Sequence, residues 1–364
     1  MPYDPSTFWP SIAATRAIVK TDKIERTCAL NNFAFSEEFL RKGIERVPAP
    51  YEGYTFFLDA SDVGVPGMQS VPIFGLDTVI LDPAAKGITI TPKRLGRAGE
   101  VYDEAVDAGN AQSGAKLYSM VKQRKDRHNK AVALDCENRI PFAGNDGNGD
   151  LSGVMRWLGQ SCDSNGTFVS DPTGGHNGVR VKLNNGTVVS TIGSLDRTAA
   201  GNDNTASWVG TRAGRAFGVT ELELIRVAIK RTVKTPSFIE TEKGEPVSDA
   251  VVFMDEIDQD RLEVMANNRS DDLGGNLFKY SGDMIGKARV RAASVLNNIV
   301  THPIMVLRLS TWAWGHVPGF WMKRDGPFPL AAPQHLAKYH TLDFHAQLFC
   351  FNPERNALIH GPYS

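Results

Sequence analysis

The 364-residue chain lacks most of the features that assign a chemistry at sight. Its four cysteines, Cys28, Cys136, Cys162 and Cys350, are scattered with no CxxC pair, which argues against a zinc site or a disulfide framework and favours reduced thiols in a cytosolic setting. No apolar run approaches the roughly 18 residues of a membrane span. The N-terminal stretch "MPYDPSTFWPSIAATRA" has no basic segment followed by an apolar one, so it does not read as a signal peptide. There is no GxxxxGK[ST] phosphate loop, no GxSxG elbow, no HExxH and no GxGxxG, which weakens an enzymatic reading. An excess of one charge sign is missing too. Forty Lys and Arg against 41 Asp and Glu leave a formal charge of -1, so no global field favours nucleic acid or an anionic membrane, and any such contact must be local.

The composition that remains, 41% hydrophobic and 22% charged, is that of a folded protein with a sizeable core. Residues 1–31 read as an extended arm. A short helix is expected over "SEEFLRKGIERV", with Ser36 as N-cap, Phe39, Leu40, Ile44 and Val47 at helical spacing, and Pro48 as the stop. From Tyr51 to Glu100 short β-runs, "YTFFLD", "TVILD" and "GITITP", predict a long two-stranded excursion with too little apolar surface to stand alone.

Residues 110–138 form the longest helical candidate, about 40 Å at 1.5 Å per residue. Leu117, Val121, His128 and Val132 are expected to share one narrow face. Its centre, "KQRKDRHNK", carries Lys122, Arg124, Lys125, Arg127 and Lys130 against Asp126. That patch could bind phosphates, or face solvent or acids of a neighbouring subunit. "VRVKLNNGTVVST" predicts a hairpin turning at Asn185-Gly186. "TELELIRVAIKRTVKT" predicts a helix capped by Thr220 and Glu223 that buries Leu222, Ile225 and Ile229. A strand "DAVVFM", a helix "DEIDQDRLEVMAN" and the strands "PIMVLRLS", "FHAQLFCF" and "NALIH" follow.

Three clusters suggest a site, and each has a plainer account. His335, His340 and His345 are five residues apart, which puts successive side chains on opposite faces of a strand and disfavours a shared metal. Asp255, Glu256, Asp258, Asp260 and Glu263 could supply paired carboxylates, yet they open a helix whose positive dipole end favours acids. "GNDGNGDLSG" resembles a calcium loop, but Leu151 and Trp157 stand where that pattern needs Gly and Glu.

The order "TIGSLDRT", then Trp208, then a Gly-containing link into an apolar helix near Thr220, resembles the middle of tailed-bacteriophage major capsid proteins. The matching residues are Gly193, Asp196, Arg197, Thr198 and Trp208, with an insert "AAGNDNTAS" lengthening the Arg-to-Trp interval. The ending "DFHAQLFCFNPERNALIHG" is similar to that family's closing strands. The resemblance implies an α+β, Hong Kong phage-type capsid fold. Its parts would be an arm and short helix over 1–50, an extended loop over 51–100 and a spine helix with peripheral domain over 101–215. An axial domain over 216–325 and closing peripheral strands over 326–364 would complete it.

It further implies a non-enzymatic shell protein of the virion, assembled in the host cytoplasm as pentamers and hexamers around double-stranded DNA. No cofactor, metal or membrane is expected. Portal, scaffolding and cement proteins are the implied partners, the scaffold being separate or removed since no long helical prefix precedes the arm. Asp196 and Arg197 are expected at a junction of the peripheral and axial parts with Trp208 packed nearby, and Lys86 is a conceivable donor for an inter-subunit crosslink. Arg124 and Arg127 are interface candidates on the spine helix. An encapsulin-like cargo shell is the first alternative; a metal-dependent hydrolase built on Asp258 or His340 is the second.

Overall fold

The computed structural model describes residues 33–40, 44–50, 52–59, 85–103, 114–142, 151–158, 170–172, 181–183, 191–192, 195–196, 207–212, 216–233, 238–240, 246–273, 284–285, 288–297, 299, 302–329 and 337–360. The arm at 1–31, the run "TVILD", residues 144–150 of the calcium-like loop, Arg197 and His335 lie outside them.

The first described element is helix α1 (Ala34–Leu40), and the next is strand β1 (Glu45–Pro48). The helix expected to run on to Val47 has given way to a strand by Glu45, and Ser36 lies inside the helix. Long-range contacts account for the difference. Trp314 Nε1 donates to the Phe39 carbonyl at 2.8 Å and Arg46 to the Leu40 carbonyl at 3.0 Å, which satisfies two carbonyls of the last turn. Residues 45–48 gain more by pairing in parallel with a distant strand.

Strands β2 (Tyr54–Asp59) and β3 (Ala85–Ile90) pair antiparallel from Tyr54↔Ile90 to Asp59↔Ala85. Strand β4 (Lys93–Asp103) leads to helix α2 (Gly114–Phe142), about 43 Å long at 1.5 Å per residue. On α2, Asn129, Val132, Ala133, Cys136, Glu137 and Ile140 are buried, so the inward face includes Val132 while His128 is only half-buried at its margin. The short helix α3 (Val154–Trp157) packs Trp157 against the core.

Small hairpins come next. Strand β5 (Ser170–Pro172) pairs with β6 (Val181–Leu183), and β7 (Thr191–Ile192) with β8 (Leu195–Asp196). Val181–Leu183 thus has a partner upstream of it, while the turn expected at Asn185-Gly186 and its Val188 return strand lie outside the described residues.

Strand β9 (Trp208–Thr211) precedes helix α4 (Val219–Ala228), which runs on as a π-helical turn, Ile229–Val233. Gly218 caps α4, with its N–H donating to Glu221 at 2.8 Å. The helix therefore begins just before the expected Thr220/Glu223 box. Leu222 and Ile225 are buried, as the spacing predicted, with Ile229 packed at the edge. Strands β10 (Phe238–Glu240) and β11 (Pro246–Ser248) form a hairpin before β12 (Ala250–Met254) and helix α5 (Glu256–Leu273). From Met284 on, the described elements are strands joined by short 3-10 turns: β13 (Met284–Ile285), β14 (Ala288–Ala292), β15 (Ile304–Arg308), β16 (Trp312–His316), β17 (Lys323–Pro329), β18 (Ala337–Cys350) and β19 (Ala357–His360).

Two sheets organise these elements. One has five strands, β1, β16, β18, β17 and β4; the other has six in the order β13-β14-β12-β15-β19-β9. Period-two alternation gives the six-stranded sheet two different apolar faces. Val251, Phe253, Met305, Leu307 and Leu358 join a core that includes Trp157, Trp312, Trp314, Phe344 and Phe349. Ala250, Val252, Met254, Ile304, Val306, Ala357 and Ile359 join Trp208, Leu222, Ile225 and Leu262 beneath α4 and α5. The base of the β2–β3 hairpin is rooted in the first core, where Phe56 meets Phe349 with ring centroids 4.7 Å apart.

Candidate functional site

The segment that raised the capsid resemblance enters the six-stranded sheet at its edge. Ser207 donates to the Leu158 carbonyl at 2.6 Å, and β9 then runs parallel to β19 from Trp208↔Ala357 to Thr211↔His360. The Trp208 indole folds back over Gly210. A Cβ on Gly210 would lie 2.6 Å from Trp208 Cη2, so the close approach of ring and backbone depends on glycine there. The indole N–H is buried and meets no acceptor among the described residues.

Two residues after Gly210, Arg212 is carried into the protein. Its guanidinium is fully buried and grips Asp258 of α5 with two hydrogen bonds, at 2.6 and 3.2 Å, while also donating to the His302 carbonyl at 3.0 Å. Burial raises the Asp258 carboxyl above its ordinary value, and the Arg212 guanidinium pulls back against that rise. Asp255, the residue before α5, accepts the Asp258 N–H at 2.6 Å as an N-cap and meets His302 Nδ1 at 2.5 Å with its other oxygen. His302 holds φ at 41°, a conformation rare for a residue with a Cβ, which places its carbonyl on Arg212 and its ring on Asp255. One arginine and one histidine thus tie β9 to the start of α5.

A second cluster fixes α1 on the opposite face of the same sheet. The buried Glu137 carboxylate of α2 accepts the N–H groups of Phe35 and Ser36 at 3.1 and 2.7 Å. It acts as a tertiary cap in the place assigned to Ser36, whose hydroxyl instead donates to the Ala133 carbonyl. Burial holds the Glu137 carboxyl above its usual range, opposed by those hydrogen bonds. On β14, Arg289 binds Glu38 bidentately at 2.7 and 2.9 Å, and Arg291 pairs with Glu37. Next to Glu137, burial pushes the Cys136 thiol up to about 12, so it stays protonated and packs as a small apolar group.

Asn356 forms a third joint, between the two sheets. Its side-chain oxygen accepts the Arg308 N–H at 2.9 Å and the Trp312 indole N–H at 3.0 Å, and its amide donates to Thr311 and the Asn352 carbonyl.

These placements divide the groups that the sequence offered. Asp196 lies on β8, paired in register with Thr191, and β8 runs close to β3. Trp208 lies instead at the β9 edge. Lys86 is on β3 opposite Leu58, Arg124 is within α2, and Arg127 is exposed on that helix. Of the acidic group, Asp255 and Asp258 are buried and committed to His302 and Arg212, whereas Asp260 and Glu263 are exposed. His340 sits on β18. His345 is buried against Phe320, stacked at 4.5 Å, and burial lowers its pKa, so it is neutral near pH 7. Among the described residues no group of three or more His, Cys, Asp or Glu is placed to hold a metal ion.

Sequence reasoning missed Arg212, Glu137 and Asn356. Arg212 continues the period-two series Trp208, Gly210, Arg212, which was the available signal. Glu137 and Asn356 carried none, because their partners lie on other elements.

No family model matches the chain, and no curated protein matches it in sequence. Solved structures do match in shape. A chain of the cyanophage A-1(L) capsid asymmetric unit is 9% identical, with a TM-score of 0.52 over 89% of this chain and 91% of that one. The capsid of the native GTA particle is 12% identical, with a TM-score of 0.50 over 90% of both chains. The capsid of the empty GTA particle is 11% identical, again with a TM-score of 0.50 and 90% coverage of both. The chain has the α+β fold of tailed-phage major capsid chains.

Proposed function

We propose that this chain is a major capsid protein that self-assembles into pentamers and hexamers forming an icosahedral shell around phage double-stranded DNA. The observation that carries the reading is the match to a phage capsid chain across 89% of this chain and 91% of that one, which leaves no large part of either unaccounted for. On this reading the protein works by binding energy spread over large interfaces, and it needs no catalytic residue. The formal charge of -1 suits a wall that lines packaged DNA weakly.

The residue assignments follow from the same reading. Residues 1–50 serve as arm and short helix, 51–100 as extended loop, 101–215 as spine helix with peripheral domain, 216–325 as axial domain and 326–364 as closing peripheral strands. Asp196 and Arg197 are assigned to the junction of the peripheral and axial parts, with Trp208 packed nearby. Lys86 is offered to a neighbouring subunit from β3. Arg124 and Arg127 present positive charge from the spine helix to packaged DNA or to a neighbour. Portal, scaffolding and cement proteins complete the assembly.

Electron microscopy and light scattering of the expressed chain, alone and with its scaffold, test the reading. Closed shells tens of nanometres across are expected; a persistent monomer under both conditions contradicts it.

A further inference from the structure

The short link between β16 and β17 is held against β18 through two histidines. Val317, Pro318, Gly319 and Phe320 form a β-turn closed by the Phe320 N–H on the Val317 carbonyl at 3.0 Å, with Gly319 at φ 82° as a type II turn requires. His345 ties both ends of this turn to β18: its carbonyl accepts the Val317 N–H, and its own N–H donates to the Phe320 carbonyl, each at 3.0 Å. Pro318 and Gly319 are exposed, and Phe320 and Trp321 are half-buried, so the turn is a thin cover at the surface.

A histidine lies against each aromatic ring. Phe320 stacks on the buried His345 imidazole with centroids 4.5 Å apart and planes 10° apart. Trp321 meets His316 edge-on at 5.5 Å and is itself seated on Trp314 and Phe344. The surrounding charge is largely positive. Arg46 of β1 lies over the Trp321 ring at 4.3 Å, and Lys323 of β17 over the Phe320 ring at 5.0 Å. On β4, Arg94 is in register with His345, and Lys93 with Ala346, the residue that pairs with His316. The nearby carboxylates are already committed. Asp343 lies 3.9 Å from His345 Nε2 but binds Arg94 at 3.2 Å, and Asp325 binds Lys323 at 3.0 Å.

Neutral imidazoles fit under these rings, whereas charged ones would add two cations among Arg46, Lys93, Arg94 and Lys323. Burial lowers the pKa of His316, with the Val47 backbone opposing and Arg46 reinforcing. Burial also lowers that of His345, with Asp343 opposing and Arg94 reinforcing. A histidine whose folded value lies below its ordinary 6.5 binds its proton less tightly when folded. The stability it contributes is full above 6.5 and is lost as pH falls from there through the lowered value.

We infer that His316 and His345 form an acid-operated latch: charging them releases the turn at 317–320 from β18 and bares the Phe320 ring, while Trp321 stays seated as the hinge. The release is local. It breaks the three hydrogen bonds of the turn and leaves the β16–β18 ladder from Trp312↔Cys350 to His316↔Ala346 in place. The inference concerns the folded subunit and stands apart from the shell reading.

Hydrogen exchange of the full chain, read by mass spectrometry of its fragments as protection factors at about pH 7.5 and about pH 5, tests it. The amides of Val317, Phe320 and His345 are expected to lose protection several-fold in acid, while β12 and β15 keep theirs. Unchanged protection at these three amides, or an equal loss in β12 and β15, overturns the inference. Combining His316→Phe with His345→Phe keeps a ring against each aromatic but removes both titrating groups, so this chain is expected to stay closed at both pH values; acid opening like the parent's overturns the inference. If the double variant does not fold, the charges beside His345 decide instead. Arg94→Gln, at a side chain 70% exposed, should reduce the acid opening, and Asp343→Asn should increase it. No change in either variant, or changes of the opposite sign, overturns the inference.

Discussion

The two faces of the six-stranded sheet are held by different means. Toward the five-stranded sheet the core is aromatic and each of its buried tryptophan N–H groups has an acceptor: Trp157 on the Leu348 carbonyl, Trp312 on Asn356 and Trp314 on the Phe39 carbonyl. Phe35 stacks on Phe253 with centroids 4.2 Å apart, so α1 is locked to β12. On the other face the sheet offers mainly Ala, Val and Ile, Trp208 has no acceptor among the described residues, and a buried ion pair carries much of the specificity. Large directional contacts make the first face a fixed frame. Smaller ones leave the second as a platform for two helices, whose outer surfaces expose Val219, Val227, Ile257 and Val264 among charged residues.

The largest expected effect breaks the frame. Trp312→Ala removes a fully buried ring and strips Asn356 of a donor, so the urea midpoint should fall by an amount equivalent to about 3 to 5 kcal/mol. On the platform side, Asp258→Ala strands the Arg212 charge in the interior and should cost about 3 kcal/mol in the same assay. Replacing both partners, Arg212→Met with Asp258→Leu, should recover most of that loss. Gly210→Ala pushes a methyl into the Trp208 ring and should cost about 1 to 3 kcal/mol, since a buried indole has little room to yield.

The smallest expected effect is a pH dependence. Glu137 has a folded-state pKa raised above 4.5, so the folded protein holds this proton more tightly than the unfolded chain does. Its contribution to stability is therefore greatest at low pH and is lost as pH rises through the raised value. Relative to Glu137→Gln, the parent should gain stability as pH falls through the window above 4.5, as chemical denaturation at several pH values would detect.

Much of the fold was readable from sequence because its signals are local. Helix α2, the β2 and β3 runs, the "AVVFM" strand and the Asp255-led helix each carry a signal in their own residues. What the sequence hid is tertiary. The α1 helix ends where Trp314 and Arg46 reach its carbonyls, and it begins where Glu137, 101 residues beyond Ser36, supplies a cap. The site was less legible still. Arg197 lies outside the described residues; the buried arginine that the structure describes beyond Trp208 is Arg212, and its partner Asp258 had read as one of several acids opening a helix.

Hydrogen exchange on the free subunit and on assembled particles tests the division between frame and platform most directly. Strands β12, β15 and β16 should exchange slowly and equally in both states, while α4 and α5 should slow markedly on assembly. Unchanged exchange in α4 and α5, with new protection confined to other elements, would contradict it.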